Sequence, residues 1–465
     1  MSKFRIKMLD IRYIRKKLGV SQAQLAEIAQ IRQHRLSSIE LGKEPPTQEE
    51  TKHIAQIFDE IESGNISIRK KKRISKVKFE SSIIADNPRR GYTRTNRNEE
   101  YLTNLDTLNK KFHQKKENCP IAVSFFAGCG GLCYGITAAG FNIVASNELV
   151  EEYKSMYKEN FPNANFLSND IKDITDDEID DILCKYPEVD LMAGGPPCQG
   201  FSLAGKRDVS DQRNTLFSYY LRIANKIKPK VILMENVKLL TSMKNQKGKL
   251  VKDEIIKTFT EIGYDSNFFI VNAAEFGVPQ NRLRVIFIGV RKDLNLRPEI
   301  AETICSDKPE LFKKPAYYSF GDAVSDLDFL ESGEQSKTDK YHKAISHPEH
   351  VLRWLYNVPQ GKSAHDNEDP TLRPPSGYNT TYKRQIWNEP GATVQTTFGM
   401  ISGCNNVHPI ATRSLTTREA MRLQSFPDTF KFVGKEGDIR TTIGNAVPPL
   451  LAYHIASFIK SRYID

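Results

Sequence analysis

The sequence predicts an α/β protein built on a doubly wound, mostly parallel sheet, with an all-α domain ahead of it and a smaller domain inserted late. Three observations carry this expectation. Short β-branched and aromatic runs, "IAVSFFAG", "FNIVAS", "VDLMAGG", "VILMENV", "FFIVNA" and "RVIFIGV", alternate with amphipathic helical stretches from about 120 to 292, the pattern of parallel strands joined by crossover helices. Residues from about 8 to 60 carry apolar stripes at helical spacing only. From about 300 to 410 periodicity fades, and it returns at "RSLTTREAMRLQSFP" and "TIGNAVPPLLAYHIASFIKS". At 465 residues the chain exceeds one ordinary core. The expected division is a helical domain at 1–65, a basic linker at 66–118, the α/β domain at 119–299, the smaller domain at 300–430, and a segment at 431–465 that returns to the α/β domain.

The N-terminal helices are "DIRYIRKKLG", "SQAQLAEIAQ", "IRQHRLSSIELG" and "TQEETKHIAQIFDEI". Ser21 is a natural N-cap, Gly19 and Gly42 follow helix ends, and Pro45-Pro46 enforces a break. The stretch "IRKKLGVSQAQLAEIAQIRQHRLSSIELGKEPP" resembles the helix-turn-helix of the phage-repressor type. The resemblance implies that the second helix begins at Ser21-Gln22 and that the next lies in the major groove, with Arg32, Gln33, Arg35 and Ser37 near bases or phosphates. That family has glycine in the turn before its recognition helix, where this chain has Gln30 ahead of Ile31.

Net charge is +10, and it is concentrated. Between Arg69 and Arg97 eleven basic residues face only Glu80 and Asp86, a composition that stays unstructured when free and suits a polyanionic partner. No apolar run is long enough to cross a bilayer, and "MSKFRIKMLDIRYIRKK" lacks a hydrophobic signal core, so the expectation is a cytoplasmic protein without membrane contact. Seven scattered cysteines contain no C-x2-C pair and imply reduced thiols. Cys129 and Cys133 lack the spacing of common zinc sites, so no metal is expected.

"SFFAGCGGLCYGITAAGF" sets Gly128, Gly130 and Gly131 between the first strand and a helix, where glycine lets the backbone turn sharply and approach a ligand. A dinucleotide fingerprint needs a third glycine where Cys133 stands, which disfavours NAD and FAD. Glu148, after the second strand, can take two ribose hydroxyls, and Asp170, expected to end a third strand in "SNDI", can accept from an adenine amino group. An adenosine-bearing cofactor without a pyrophosphate fits this set.

"GGPPCQGFS" fixes Cys198 behind two prolines directly after the run "VDLMA". Adjacent prolines lock their own φ angles and restrain the residue before them, so the thiol sits on a stiff turn. "FAGCGG", "GGPPCQGFS", "MENV", "QNRLR" and "GNAVPP" occur in this order, and together they resemble the DNA cytosine-5 methyltransferases of bacterial restriction-modification type, from about 120 to the C-terminus. Ser124 stands where that family has aspartate in "DLFAG".

The resemblance implies the class I methyltransferase fold with a target-recognition domain, S-adenosylmethionine as cofactor, and double-stranded DNA as substrate. Phe126, Gly128, Gly130, Gly131, Leu132, Glu148, Asp170, Ile171, Pro196, Asn445 and Val447 are then its cofactor residues. C5 of cytosine is a poor nucleophile, so Cys198 would add at C6 while Glu235, held by Asn236, meets the developing charge at N3. Arg282 and Arg284 alternate by two on a strand and share a face; by resemblance Arg284 braces the cytosine O2 and Arg282 orients Glu235. The base must leave the stack to be reached. Gln199, Ser202 and Thr393 are expected at the DNA, and the loop after Cys198, with Gly200 and Gly205 as hinges and Lys206, Arg207 and Arg213 at phosphates, would close over the flipped base. The N-terminal domain would bind the protein's own promoter as a dimer, whereas methylation needs a monomer. Two alternatives stand beside this reading: a regulator with an inactive methyltransferase domain, and an enzyme acting on RNA.

Overall fold

The computed structural model describes residues 10–41, 44–66, 92–114, 117–197, 216–245 and 248–465. The chain divides into two compact units, 1–83 and 84–465. The first is all helical: α1 Asp10–Lys17, α2 Gln22–Ile28, α3 Gln33–Glu40 and α4 Gln48–Glu62. Ser21 and Thr47 cap α2 and α4, each in a reciprocal box with the side chain three residues on. Ile11, Leu25, Leu36, Ile39, Ile54 and Phe58 form the dry centre, each fully buried. Arg15 of α1 ties to Glu40 of α3 at 2.6 Å. Gln30 takes a left-handed φ of 52° in the turn before α3, so the turn keeps the geometry that glycine usually provides, at a cost of about 1–2 kcal/mol for an L side chain.

In the second unit the strands are β1 Ile121–Phe125, β2 Asn142–Asn147, β3 Leu191–Gly194, β4 Val231–Val237, β5 Tyr264–Asn272, β6 Gln280–Asn281, β7 Leu283–Arg291 and β8 Gly391–Ala392. Six of them form one sheet in the order β2-β1-β3-β4-β7-β5. The first four are parallel, and β7 runs antiparallel to both of its neighbours. Every strand expected from the sequence is present except the one leading to Asp170. There only an isolated parallel bridge joins Phe166 to Ser146. The Asn147 side chain, donating to the carbonyls of Ser168 and Asn169 at 2.6 and 2.8 Å, replaces the ladder that would have continued.

Alternate residues of each strand enter two apolar layers. Ala122, Leu191, Leu233 and Ile286 belong to one, and Val123, Met192, Ile232 and Phe287 to the other, which is the signature of a doubly wound sheet. On the first face the helices Gly131–Ala138 and Pro449–Ile459 touch so closely that a Cβ on Gly135 would stand 2.5 Å from that of Ala452. The helix Asn98–His113 lies within the stretch expected as linker, yet buries Tyr101, Leu105 and Leu108 in the same layer. Of the basic run, only Arg94 and Arg97 are among the described residues, bonded to Asn98 and Glu100.

The region without sequence periodicity has a small apolar cluster of its own, Val351, Leu355, Val358, Ala364, Ile401 and Val407. Around it the buried groups are polar. Arg384 donates to the carbonyls of Leu355, Val358, His408, Ile410 and Ala411, and Arg413 forms a two-pronged pair with Glu419 at 2.7 and 2.8 Å, both side chains fully buried.

Burial, with Arg413 nearby, pushes the His347 ring down to about 4, and its Nε2 accepts from the Ser414 amide at 3.2 Å. Burial, with Lys111 nearby, brings His454 down to about 4 as well. An unfolded histidine titrates at about 6.5, so the unfolded chain takes up these protons first. The stability contributed by the neutral rings is therefore complete above about pH 6.5 and lost as pH falls through 4. The melting temperature is expected to drop over that interval, and less steeply in His454→Gln. An identical slope in the variant would remove His454 from the acid limb.

Candidate active site

The parallel strands end in one row, with Phe125 beside Asn147 and Gly194, and Gly194 beside Met234. Ligands of such sheets bind beyond that edge. Gly194 cannot carry a side chain, because a Cβ would meet the Tyr220 ring at 2.8 Å and the Phe125 carbonyl at 2.9 Å. Gly195 faces Glu235, whose Oε2 would lie 3.4 Å from a Cβ there. The turn continues through Pro196, and Asn236 holds it by donating to the Pro196 carbonyl at 2.7 Å while accepting from the Val237 amide. Asn236 thus secures the turn that leads to the thiol. Cys198, Gln199 and Ser202, with Gly200, Gly205, Lys206, Arg207 and Arg213, lie outside the described residues.

Glu235 lies near the end of β4 as a buried carboxyl, and Arg284 enters from β7 with Nε 2.8 Å from Glu235 Oε1. The N–H is not directed at that oxygen, which has no aligned hydrogen bond, so the contact is an ion pair. Burial lowers the Arg284 guanidinium from its ordinary value, and the Glu235 charge opposes the shift. Arg282 departs from expectation. Its hydrogen bonds go to the carbonyls of Val394, Gly444 and Ala446 at 3.3, 3.0 and 2.9 Å, not to Glu235. The reason lies in the backbone: the β5–β7 ladder stops at the pair Asn272 and Leu283. Arg282 sits just beyond it, its amide held by the Asn272 side chain; it stays near enough to feel the charges of Arg284 and Glu235, but its donors are taken by those carbonyls.

The turn after β1 is strained. Phe126 has φ 55°, and Gly128 and Gly130 have φ 56° and 97°; such conformations in a non-glycine residue gather at functional sites. The Gly128 and Val150 amides donate to the two oxygens of Glu148 at 2.8 and 2.9 Å. Burial raises the Glu148 carboxyl and these amides oppose the rise. Gly131 packs against the other end of the chain, where a Cβ would stand 2.6 Å from the Val447 carbonyl. Leu132, Ile171 and Val447 are buried, Asn445 is exposed, and Asp170 is half-exposed with an oxygen taken by the Lys172 amide. Ser124 accepts from the Cys133 thiol inside the core.

Sequence reasoning overlooked several supports. Lys154 donates to the Asn169 side chain at 2.6 Å and, with Asn147, fixes the segment that carries Asp170. Gln280 and Gln424 are fully buried and bonded to each other. Both stand inside quoted motifs, "QNRLR" and "RLQSFP", and no local pattern marks either amide as buried. Thr393 donates to the Asn281 carbonyl at 2.7 Å and is half-buried. In the first unit Arg32 is exposed at the start of α3, and Ser37 is half-buried. The Gln33 side chain lies outside the described set. Arg35 is engaged by Glu50 at 2.8 Å and Glu44 at 2.7 Å, so it braces α3 against α4 and the turn between them instead of projecting freely. Among the described residues no cluster could hold a metal ion, and no helix is long and apolar enough to cross a membrane.

The family profile described as C-5 cytosine-specific DNA methylase matches residues 122–461. The chain belongs to this family. A helix-turn-helix domain profile matches residues 10–63 of the methylase. Over 379 residues the methylase is 34% identical to the Type II methyltransferase M.DdeI of Desulfomicrobium norvegicum, covering 72% of this chain and 88% of that one. It is 36% identical over 343 residues to M1.HphI of Haemophilus parahaemolyticus, covering 72% and 86%. A candidate DNA modification methyltransferase encoded within an E. coli prophage shares the fold, with a TM-score of 0.57 at 23% identity over 74% of this chain and all of that one.

The approach of Gly131 to Val447 yields a test. Gly131→Ala must displace the Val447 carbonyl, and it is expected to weaken S-adenosylmethionine binding by about tenfold, roughly 1.4 kcal/mol, with duplex binding unchanged. Calorimetric titration checks this, and an unaltered cofactor Kd would show that the contact between Gly131 and Val447 has no part in cofactor binding.

Proposed function

We propose that the methylase modifies C5 of a cytosine turned out of a short duplex site, through covalent attack by Cys198 at C6. The observation that carries this reading is the Glu235–Arg284 pair, placed at the sheet edge beside the Pro196 turn that runs into Cys198. The thiolate adds to C6 and the ring's electrons move toward N3. Glu235 relays a proton from water to N3 and so returns to its carboxylate form, while Arg284, opposite that carboxyl, balances its charge and reaches the O2 side of the ring. After methylation, loss of the C5 proton to a base and departure of the Cys198 sulfur restore the aromatic ring.

The residues around the first turn suit S-adenosylmethionine. Glycines leave the backbone bare, Glu148 retains acceptor capacity for two hydroxyls beside its two amide bonds, and Asp170 is accessible to an amino group. Asn445 and Val447 would complete that pocket with Phe126, Leu132, Ile171 and Pro196. When bound, the cofactor supplies an electrophilic methyl group on a sulfonium. The chain's own contribution is to hold it against the sheet edge and to exclude water.

The Type II methyltransferases to which the chain is similar support a restriction-modification setting in a bacterial cytoplasm. The target-recognition part lies within 300–430, and the helix-turn-helix at 10–63 reads a second and longer sequence, the protein's own promoter, as a dimer. The basic run between Arg69 and Arg97 tethers the two and adds phosphate contacts.

Two experiments separate these claims. A duplex carrying 5-fluorocytosine at the target cannot lose its C5 substituent as a proton, so the wild-type protein is expected to remain covalently attached, whereas Cys198→Ser forms no adduct and does not turn over. Turnover by Cys198→Ser near the wild-type rate would overturn the mechanism. Deletion of residues 1–68 is expected to abolish repression of a reporter driven by the upstream region while leaving methylation intact. Repression kept with methylation-site choice lost would reverse the assignment of the two readers.

A further inference from the structure

Arg282 is buried, with 1% of its surface exposed, and it makes no ion pair among the described residues. A buried cation held only by carbonyls is a poor device for stability, since apolar groups of similar size fill such space at less desolvation cost. What the planar guanidinium offers is reach: its two terminal nitrogens engage two separate stretches of chain at once. One stretch is Val394, just after Thr393. The other is Gly444 and Ala446, the residues on either side of Asn445.

The same loop is gripped twice more. Gln424 donates to the carbonyls of Ile443 and Ala446 at 2.6 and 3.4 Å. Gln280 donates to Gln424 and accepts from the Val394 amide at 2.9 Å, closing the circuit. Gly444 presses on the neighbouring stretch, where a Cβ would lie 2.3 Å from the Thr396 amide. The end of the helix Glu436–Asn445, and the loop that leaves it through Ala446 and Val447, are therefore fastened through Arg282 to the chain that returns from the smaller domain.

We infer that Arg282 is a positioning residue for the cofactor, acting through Asn445 and Val447, and not a group that touches the reacting base. The inference rests on the reading that this loop holds S-adenosylmethionine. The two arginines of "QNRLR" then have different roles. Arg284 serves the Glu235 side, and Arg282 serves the cofactor side by freezing the backbone on both sides of Asn445. A supporting contact of this kind moves substrate affinity before it moves the chemical step.

Steady-state kinetics on the full chain provide the test. Arg282→Lys keeps the charge but loses the fork, and it is expected to raise the KM for S-adenosylmethionine by about tenfold, with kcat and the KM for duplex within about twofold of wild type. Arg282→Met should exceed that effect. Gln424→Met, which removes the second grip on Ala446, should reproduce it and serves if the Arg282 variants fail to fold. An unchanged cofactor KM, or a fall in kcat with KM preserved, would overturn the inference, as would equal losses in both KM values accompanied by a lowered melting temperature. Asn445→Ala distinguishes the underlying reading. If it leaves the cofactor KM unaltered, the loop is not part of the pocket and both claims fall; if it raises that KM while Arg282→Lys and Gln424→Met do not, only the role of Arg282 falls.

Discussion

The antiparallel pairing of β7 with β4 is the constraint on which the site depends. In a sheet whose other central strands are parallel, ligands meet the carboxyl ends, and a further parallel strand would bring its first residues to the opposite edge. Because β7 runs the other way, its first residues reach the functional edge, and the register that sets Arg284 opposite Val237 makes it a diagonal neighbour of Glu235. A one-residue slip would turn Arg284 to the other face and leave the carboxyl without its cation. The pairing of β5 with β7 extends the same logic, since it ends at Asn272, whose side chain holds the amide of Arg282.

A second constraint is closeness. Gly131 against Val447, Gly444 against Thr396 and Gly194 against Phe125 are contacts in which a methyl group would collide with backbone. They bring separate stretches of the chain together and explain why the motifs are rich in glycine: at these points backbone packs directly on backbone, with no room for a side chain. The fold thus brings the described parts of these short motifs, each weak alone, toward one edge of the sheet. The family assignment over residues 122–461 agrees with the extent of that convergence.

Much of this was legible in the sequence, and the parts that were not share a cause. Six strands and four N-terminal helices follow from apolar periodicity and from caps such as Ser21, all of them local signals. Where a side chain took over the work of the backbone, periodicity misled. Asn147 occupies the carbonyls that a strand toward Asp170 would have used, and the carbonyls of Val394, Gly444 and Ala446 take the donors on which the expected role of Arg282 relied. Arg35 reads as a DNA contact by its position, yet two carboxylates from the following turn and helix claim it. The stretch from 300 to 410 was opaque because it is held by polar contacts between residues distant in sequence, above all the five carbonyl bonds of Arg384 and the bonds that Arg413 and Thr412 make back to the Leu330 carbonyl and the Glu331 carboxylate. Such contacts leave no period in a sequence.

Everything proposed for the site requires that this chain place a methyl group on C5 of cytosine in duplex DNA. Bisulfite sequencing of genomic DNA from a methylation-free host expressing the full chain reads that transfer without intermediates. The expected result is complete protection of one cytosine within a single short recurring sequence, absent when Glu235→Gln and Cys198→Ser are combined. Unprotected genomic DNA from a host in which the protein is folded and abundant, or protection confined to RNA, would contradict it.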